Sequence, residues 1–255
     1  MTEPRRDRGR PPKYPPEEVR HRLLSSATNE ILHHGLGFGV DKATLETAID
    51  TAEVPRGVSY KLWRESAVDD ESPQDSLRHA VIAAIACNSP DDWIPASRTF
   101  FEEEAAKFHR GETTPQQIFR AVGIFAHRLI SESLEIRLVQ AFTATAATQP
   151  NTPPAIANAL TQGRSKVLAG YNKLIADFAS EVGARARPGR SIEEFTEALG
   201  TVVRGISQGP ATGSTPQIIE RPTGVDGEAQ EWTVAGICIE ALAHQHFDWS
   251  TQAAG

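Results

Sequence analysis

The chain has 255 residues, 39% hydrophobic and 23% charged, with a formal net charge of −7 at neutral pH. That composition can fill one large or two small cores and is too apolar for a disordered chain. No apolar run approaches the roughly 20 residues needed to span a bilayer, and Arg5, Arg6, Arg8 and Arg10 have no apolar stretch behind them to form a secretory signal. Cys87 and Cys238 are the only cysteines, which excludes a disulfide scaffold and an all-cysteine zinc site. A cytoplasmic protein without a membrane partner is expected. Charge is uneven: residues 1–64 hold 11 Lys/Arg against 9 Asp/Glu, and the remainder 15 against 24. A basic end on an acidic body suits an N-terminal contact with a polyanion, and suits a solubilising tail equally well.

Residues 1–16 carry five prolines and no apolar period, which predicts a disordered basic arm. A helix follows, with Val19, Leu23, Ala27 and Ile31 recurring every fourth residue, and it is expected to stop at Gly35. Gly37 and Gly39 then predict a loose turn. Thr44 to Thr51 predicts a short helix with Leu45, Ala48 and Ile49 inward. Ala52-Glu53-Val54-Pro55 makes a tight corner, and Arg56 to Trp63 a second short helix. The acidic stretch after Arg64 leads into a helix over Leu77 to Cys87.

Further helices are expected over about 92–109, 115–147 (broken near Ser131), 153–182, 191–208 and 228–246, punctuated by Gly and Pro clusters. Period-2 alternation is nowhere sustained, so no strands are expected; Ile218-Ile219 is the only short β-like pair. The fold class is therefore all-α, divided into an arm (1–16), a small helical domain (17–70) and a larger helical domain (71–255).

The run TLETAIDTAEVPRGVSYKLW from Thr44 to Trp63 carries the strongest signal. Two short helices joined by a three- or four-residue turn, behind a longer helix, form a helix-turn-helix whose second helix enters the major groove of double-stranded DNA. Arg56, Ser59 and Lys61 are placed opposite Val58 and Leu62, or beside the helix start, within reach of base edges or phosphates. Gly57 lets the backbone approach closely, Thr44 can cap the helix and face a phosphate, and Trp63 is expected to pack. In the arm, Arg8-Gly9-Arg10-Pro11 has the RGRP core of an AT-hook, suited to a narrow minor groove.

Thr44, Ala48-Ile49, Ala52, Val54, Arg56-Gly57 and Tyr60, with Trp63 three later, resemble the TetR/AcrR family of bacterial repressors. So does the first helix, through Leu23-Leu24, Ser26-Ala27, Ile31-Leu32 and Gly35. The match covers about the first quarter of the chain. Glu53 stands where that family has a glycine, Pro55 where it has a capping Ser or Thr, and Trp63 where it has Phe. The resemblance implies a phosphate contact for Tyr60, places Pro55 at the DNA-facing corner, and implies a homodimeric regulator with a small apolar effector in its C-terminal domain. For that pocket the aromatic-rich stretch 92–182 offers Trp93, Phe100, Phe119, Phe125, His127, Phe142 and Tyr171. The last two helices are expected to form a four-helix dimer bundle through Phe195, Leu199, Val202, Ile206, Val234, Ile237 and Leu242.

Two other sites compete in the sequence. Gly205-Ile206-Ser207-Gln208-Gly209 matches the G-x-S-x-G elbow of serine hydrolases, with Asp226 and His244 following in order. Ser191…Glu194, however, is a capping box, and Ile192, Phe195, Leu199 and Ile206 continue at helical spacing, so Ser207 falls near a helix end. The histidines are scattered, with no zinc-site spacing. The expectation is a ligand-responsive repressor binding a palindromic operator, with no catalytic activity, metal or cofactor. A helix-turn-helix protein with a purely structural bundle is the alternative, and a hydrolase using Ser207 a remote one.

Overall fold

The computed structural model describes residues 14–66, 71–88, 90–211, 217–223 and 228–249, the side chains of 36–42, 66, 90, 92 and 206–211 excepted. The chain forms two compact units, one of Met1–Ala84 with Pro153–Ile156, the other of Ile85–Thr152 with Ala157–Gly255. The fold is all-α.

The first unit opens with α1 (Pro16–Lys42), which buries Val19, Leu23, Ala27 and Ile31 at the predicted four-residue spacing. At Gly35 the backbone leaves helical geometry, φ 73° and ψ −178°, a conformation open to glycine. The expected stop is thus a kink, and helix resumes over 36–42 where a loose turn was expected. Then come α2 (Leu45–Ala52), α3 (Arg56–Ser66) and the start of α4 (Pro73–Asn88). Trp63, fully buried, fills the centre of this unit. Gln74 ties α4 to the start of α2, its amide donating to the Ala43 carbonyl (3.1 Å) and accepting from the Leu45 N–H (2.6 Å). With Leu77 and Val81 also buried, the unit reaches residue 84.

The second unit holds α5 (Pro90–His109), α6 (Pro115–Glu132), α7 (Leu134–Thr148), most of α8 (Pro154–Glu181), α9 (Ile192–Ala211) and α10 (Val234–His246). The break expected near Ser131 falls at Ser133, which ends α6 and caps α7 through its hydroxyl. Among the described residues, four short strands correct the strand-free expectation. Strand β1 (Ala184–Ala186) pairs antiparallel with β4 (Phe247–Trp249), and β2 (Ile218–Pro222) with β3 (Ala229–Thr233). The helix expected over 228–246 therefore starts only at Val234, capped by Thr233. Trp232 explains the switch: it is fully buried from β3, and its indole N–H donates to the Thr223 hydroxyl at 2.7 Å. Glu240 on α10, also buried, holds Arg221 of β2, whose guanidinium lies 4.6 Å from the Trp232 ring. Tertiary anchoring, rather than alternation, makes this ribbon.

Candidate functional site

The helix-turn-helix is built by local chemistry. Thr44 caps α2, its hydroxyl oxygen accepting from the Thr47 N–H at 3.0 Å. Glu53 ends α2 in the left-handed region, φ 53° and ψ 42°, as its corner position requires, and the Val54 N–H donates to Ile49 O at 3.3 Å. Leu45, Ala48, Ile49 and Val54 are buried beneath the corner.

Helix α3 then presents one exposed stripe, formed by Arg56, Gly57, Tyr60, Lys61 and Arg64, with exposed Pro55 just ahead of it. Tyr60 is 41% exposed, large for an aromatic residue on so small a unit. Lys61 reaches only a loose pair with Glu65, 3.8 Å away. Trp63 packs, as expected, with Arg20 at 4.8 Å from its ring.

One expectation about this face is corrected. Ser59 is fully buried, and its hydroxyl donates to the Pro55 carbonyl at 3.0 Å, so it cannot reach a base. Its place one position from Val58 turns it inward with Trp63 on the next turn. The half-buried Thr44 side chain caps α2 as expected, and its hydroxyl also pairs with that of Thr47 at 2.8 Å. Arg56 lies on the exposed face, but Nη2 donates to Glu46 Oε1 at 2.9 Å and to Asp50 Oδ1 at 3.3 Å. Sequence reasoning missed these two carboxylates; their i, i+4 spacing on α2, one turn ahead of the corner, was the available signal. Arg8 and Arg10 lie outside the described residues.

In the second unit the aromatic residues do not converge on one pocket. Phe100 stacks on Phe125 at 4.3 Å, with Arg128 at 5.9 Å from the Phe125 ring. The His127 ring nitrogen Nδ1 pairs with Ser131 Oγ at 3.4 Å. Tyr171 meets the buried Ser97 hydroxyl at 2.8 Å, and burial raises its phenol pKa. Phe142 is buried on α7, and Trp93 is half-buried on α5. Of the expected set, Phe119 lines an apolar cavity in this unit, about 40 Å³ in volume. Its other walls include Phe101, Phe178, Phe195, Leu199, Phe247 and Trp249. The last four come from α9 and β4, far along the chain from the 92–182 stretch.

That placement also removes Phe195 from the expected dimer set. Phe195 is 6% exposed and packs edge-on against His246 and Phe247 of its own unit, so it faces inward, with Leu199 beside it on the cavity. Val202, Ile237 and Leu242 are half-buried against the same core, whereas Val234 is 39% exposed. The Ile206 side chain lies outside the described residues.

The G-x-S-x-G run lies inside α9 rather than on a strand-to-helix turn; the Ser207 side chain and Asp226 lie outside the described residues, and His244 is exposed on α10. Among the described residues no three His, Cys, Asp or Glu side chains gather as metal ligands, and no helix is long and apolar enough to cross a membrane.

No protein-family model and no curated protein matches the chain. Among solved structures, a TetR-family transcriptional regulator from Mesorhizobium loti is similar over 91% of this chain and 96% of its own, with a TM-score of 0.52 and 15% identity. The reduced form of Escherichia coli NemR aligns over 91% of this chain and 99% of its own at 12% identity, with a TM-score of 0.47, too low to bear on the argument. At such identities the likeness is one of fold: the chain has a TetR-like fold, all-α, with a helix-turn-helix in its first unit.

Proposed function

We propose that the protein is a DNA-binding transcriptional regulator, a repressor that binds a palindromic operator as a homodimer and responds to a small apolar effector. One observation carries this reading: behind a left-handed corner, α3 exposes Arg56, Gly57, Tyr60 and Lys61 as a single stripe while burying Ser59 and Trp63. A helix so displayed fits the major groove, with Tyr60 and Lys61 on phosphates and the N-terminal residues at base edges. The arginines of the arm would add minor-groove and phosphate contacts. The last two helices, α9 and α10, would pair across a two-fold axis, setting the two recognition helices about 34–36 Å apart, and an effector altering that spacing would change affinity.

Selection of bound sequences from a random duplex pool tests the reading. A palindrome of two half-sites about one helical turn apart is expected; a pool that shows no enrichment would sink it. A second reading, a helix-turn-helix protein with a purely structural bundle, draws on the small size, about 40 Å³, of the apolar cavity described beside Phe119. Thermal stabilisation of the protein by small apolar compounds would separate the two.

A further inference from the structure

Arg56 is the first residue of α3, at the point where a recognition helix meets base edges. Its guanidinium is held from the preceding helix: Glu46 and Asp50, one turn apart on α2, both accept from Nη2. The Asp50 hydrogen bond, followed by the charges of Asp50 and Glu46, holds the guanidinium pKa above its ordinary value. All three side chains are 60% or more exposed, so these contacts fill no core and screen easily in water.

The atom they occupy is what matters. A guanidinium grips a two-acceptor partner either end-on, through Nη1 and Nη2, or side-on, through Nε and Nη2. Arg110 of this chain uses the side-on grip, Nε and Nη2 each donating to a different oxygen of Glu112. Both grips need Nη2, and at Arg56 Nη2 already donates to two carboxylates. Arg56 can therefore offer DNA only single contacts from Nε or Nη1 while the carboxylates stay. A guanine edge or a phosphate that wants both acceptors filled must first displace Glu46 or Asp50.

We propose that Glu46 and Asp50 are intramolecular competitors for Arg56, withholding its bidentate grip from duplexes at large and yielding it only where a base edge or phosphate fits well enough to displace them. They are specificity-determining residues that touch no DNA. Nonspecific binding, made of many weak phosphate contacts, suffers most from such competition, whereas the correct site recovers its cost through the bidentate pair. The inference rests on the DNA-binding reading above.

A mutant cycle in the full-length protein tests it, with affinities measured by fluorescence anisotropy for the selected site and for a scrambled duplex. The variants are Glu46→Gln with Asp50→Asn, Arg56→Ala, and all three together; because the side chains are exposed, far-ultraviolet melting should show each folded. The double amide variant should bind the scrambled duplex about three- to tenfold more tightly, with a smaller gain on the selected site. Its salt slope should steepen by about one contact. In the Arg56→Ala background the gain should vanish. A gain that persists without Arg56 would reduce the carboxylates to simple repulsion of phosphate and overturn the proposal, as would unchanged or weakened binding. If wild-type protein retains nothing from the random pool, the regulator reading itself fails, a result distinct from a cycle that shows binding without coupling.

Discussion

Gly123 on α6 and Gly236 on α10 lie backbone to backbone. A Cβ placed on Gly123 would stand 2.5 Å from the Gly236 Cα and 2.6 Å from the Thr233 hydroxyl that caps α10. Since the obstacle is backbone, it cannot rotate aside, and the two helices must part. Gly123→Ala should therefore destabilise the protein by roughly 1–3 kcal/mol or more. Gly200→Ala meets only the Arg204 guanidinium at 3.7 Å and should be neutral or stabilising by up to about 1 kcal/mol, the helix-propensity gain. Chemical denaturation of both variants gives the comparison; equal stabilities would contradict the close packing of α6 on α10.

Glu53 is the only described non-glycine residue with positive φ, at the corner between α2 and α3. Relieving that conformation with Glu53→Gly should stabilise the first unit by about 1 kcal/mol, less the entropy glycine adds to the unfolded chain. Glu53→Val, β-branched, should do the opposite. Urea midpoints in the reverse order would show that the corner carries no strain.

Tyr60 and Lys61 share the exposed face of α3, so Tyr60→Phe with Lys61→Ala should weaken binding to many duplex sequences alike and leave the fold unchanged. Trp63→Ala, by contrast, empties the fully buried centre of the unit and should cost about 3–5 kcal/mol of stability. Gel-shift titration beside thermal melting separates a contact from a core residue. Full affinity in the Tyr60/Lys61 variant would place the interface elsewhere.

Val234 opens α10 at 39% exposed, whereas Phe195 and Leu199 of the expected dimer set turn into the cavity. Val234→Glu should accordingly weaken the proposed dimer by burying an unpaired charge, without harming the subunit. Sedimentation analysis that still finds full dimer at micromolar concentration would move the interface away from the start of α10.

For the arm, removing residues 1–13, which include Arg8 and Arg10, should flatten the dependence of log affinity on log salt by roughly two to four units per monomer. Preference for A·T pairs flanking the half-sites should fall as well. Identical salt slopes for full-length and truncated protein would make the arm a solubility tail.

The helix-turn-helix was legible in the sequence because most of what forms it is local. The cap at Thr44, the corner at Glu53, the inward Leu45, Ala48 and Ile49, and the packed Trp63 lie within one run of twenty residues, where periodicity and turn chemistry act directly. The all-α class followed from the same periodicity over the later helices. What the sequence could not decide were relationships between distant segments. Ala184 pairs with Trp249, and Trp232 draws β3 out of an apparently helical stretch by burying itself and bonding Thr223. Phe195 and Leu199 fit a dimer seam by spacing, yet face an intramolecular cavity closed by Phe247 and Trp249. The orientation of Ser59 and the pairing of Arg56 with Glu46 and Asp50 likewise depend on how α3 crosses α2. A helical period marks which residues share a face, but what that face meets is set by packing with elements remote in the chain, and no local pattern encodes it.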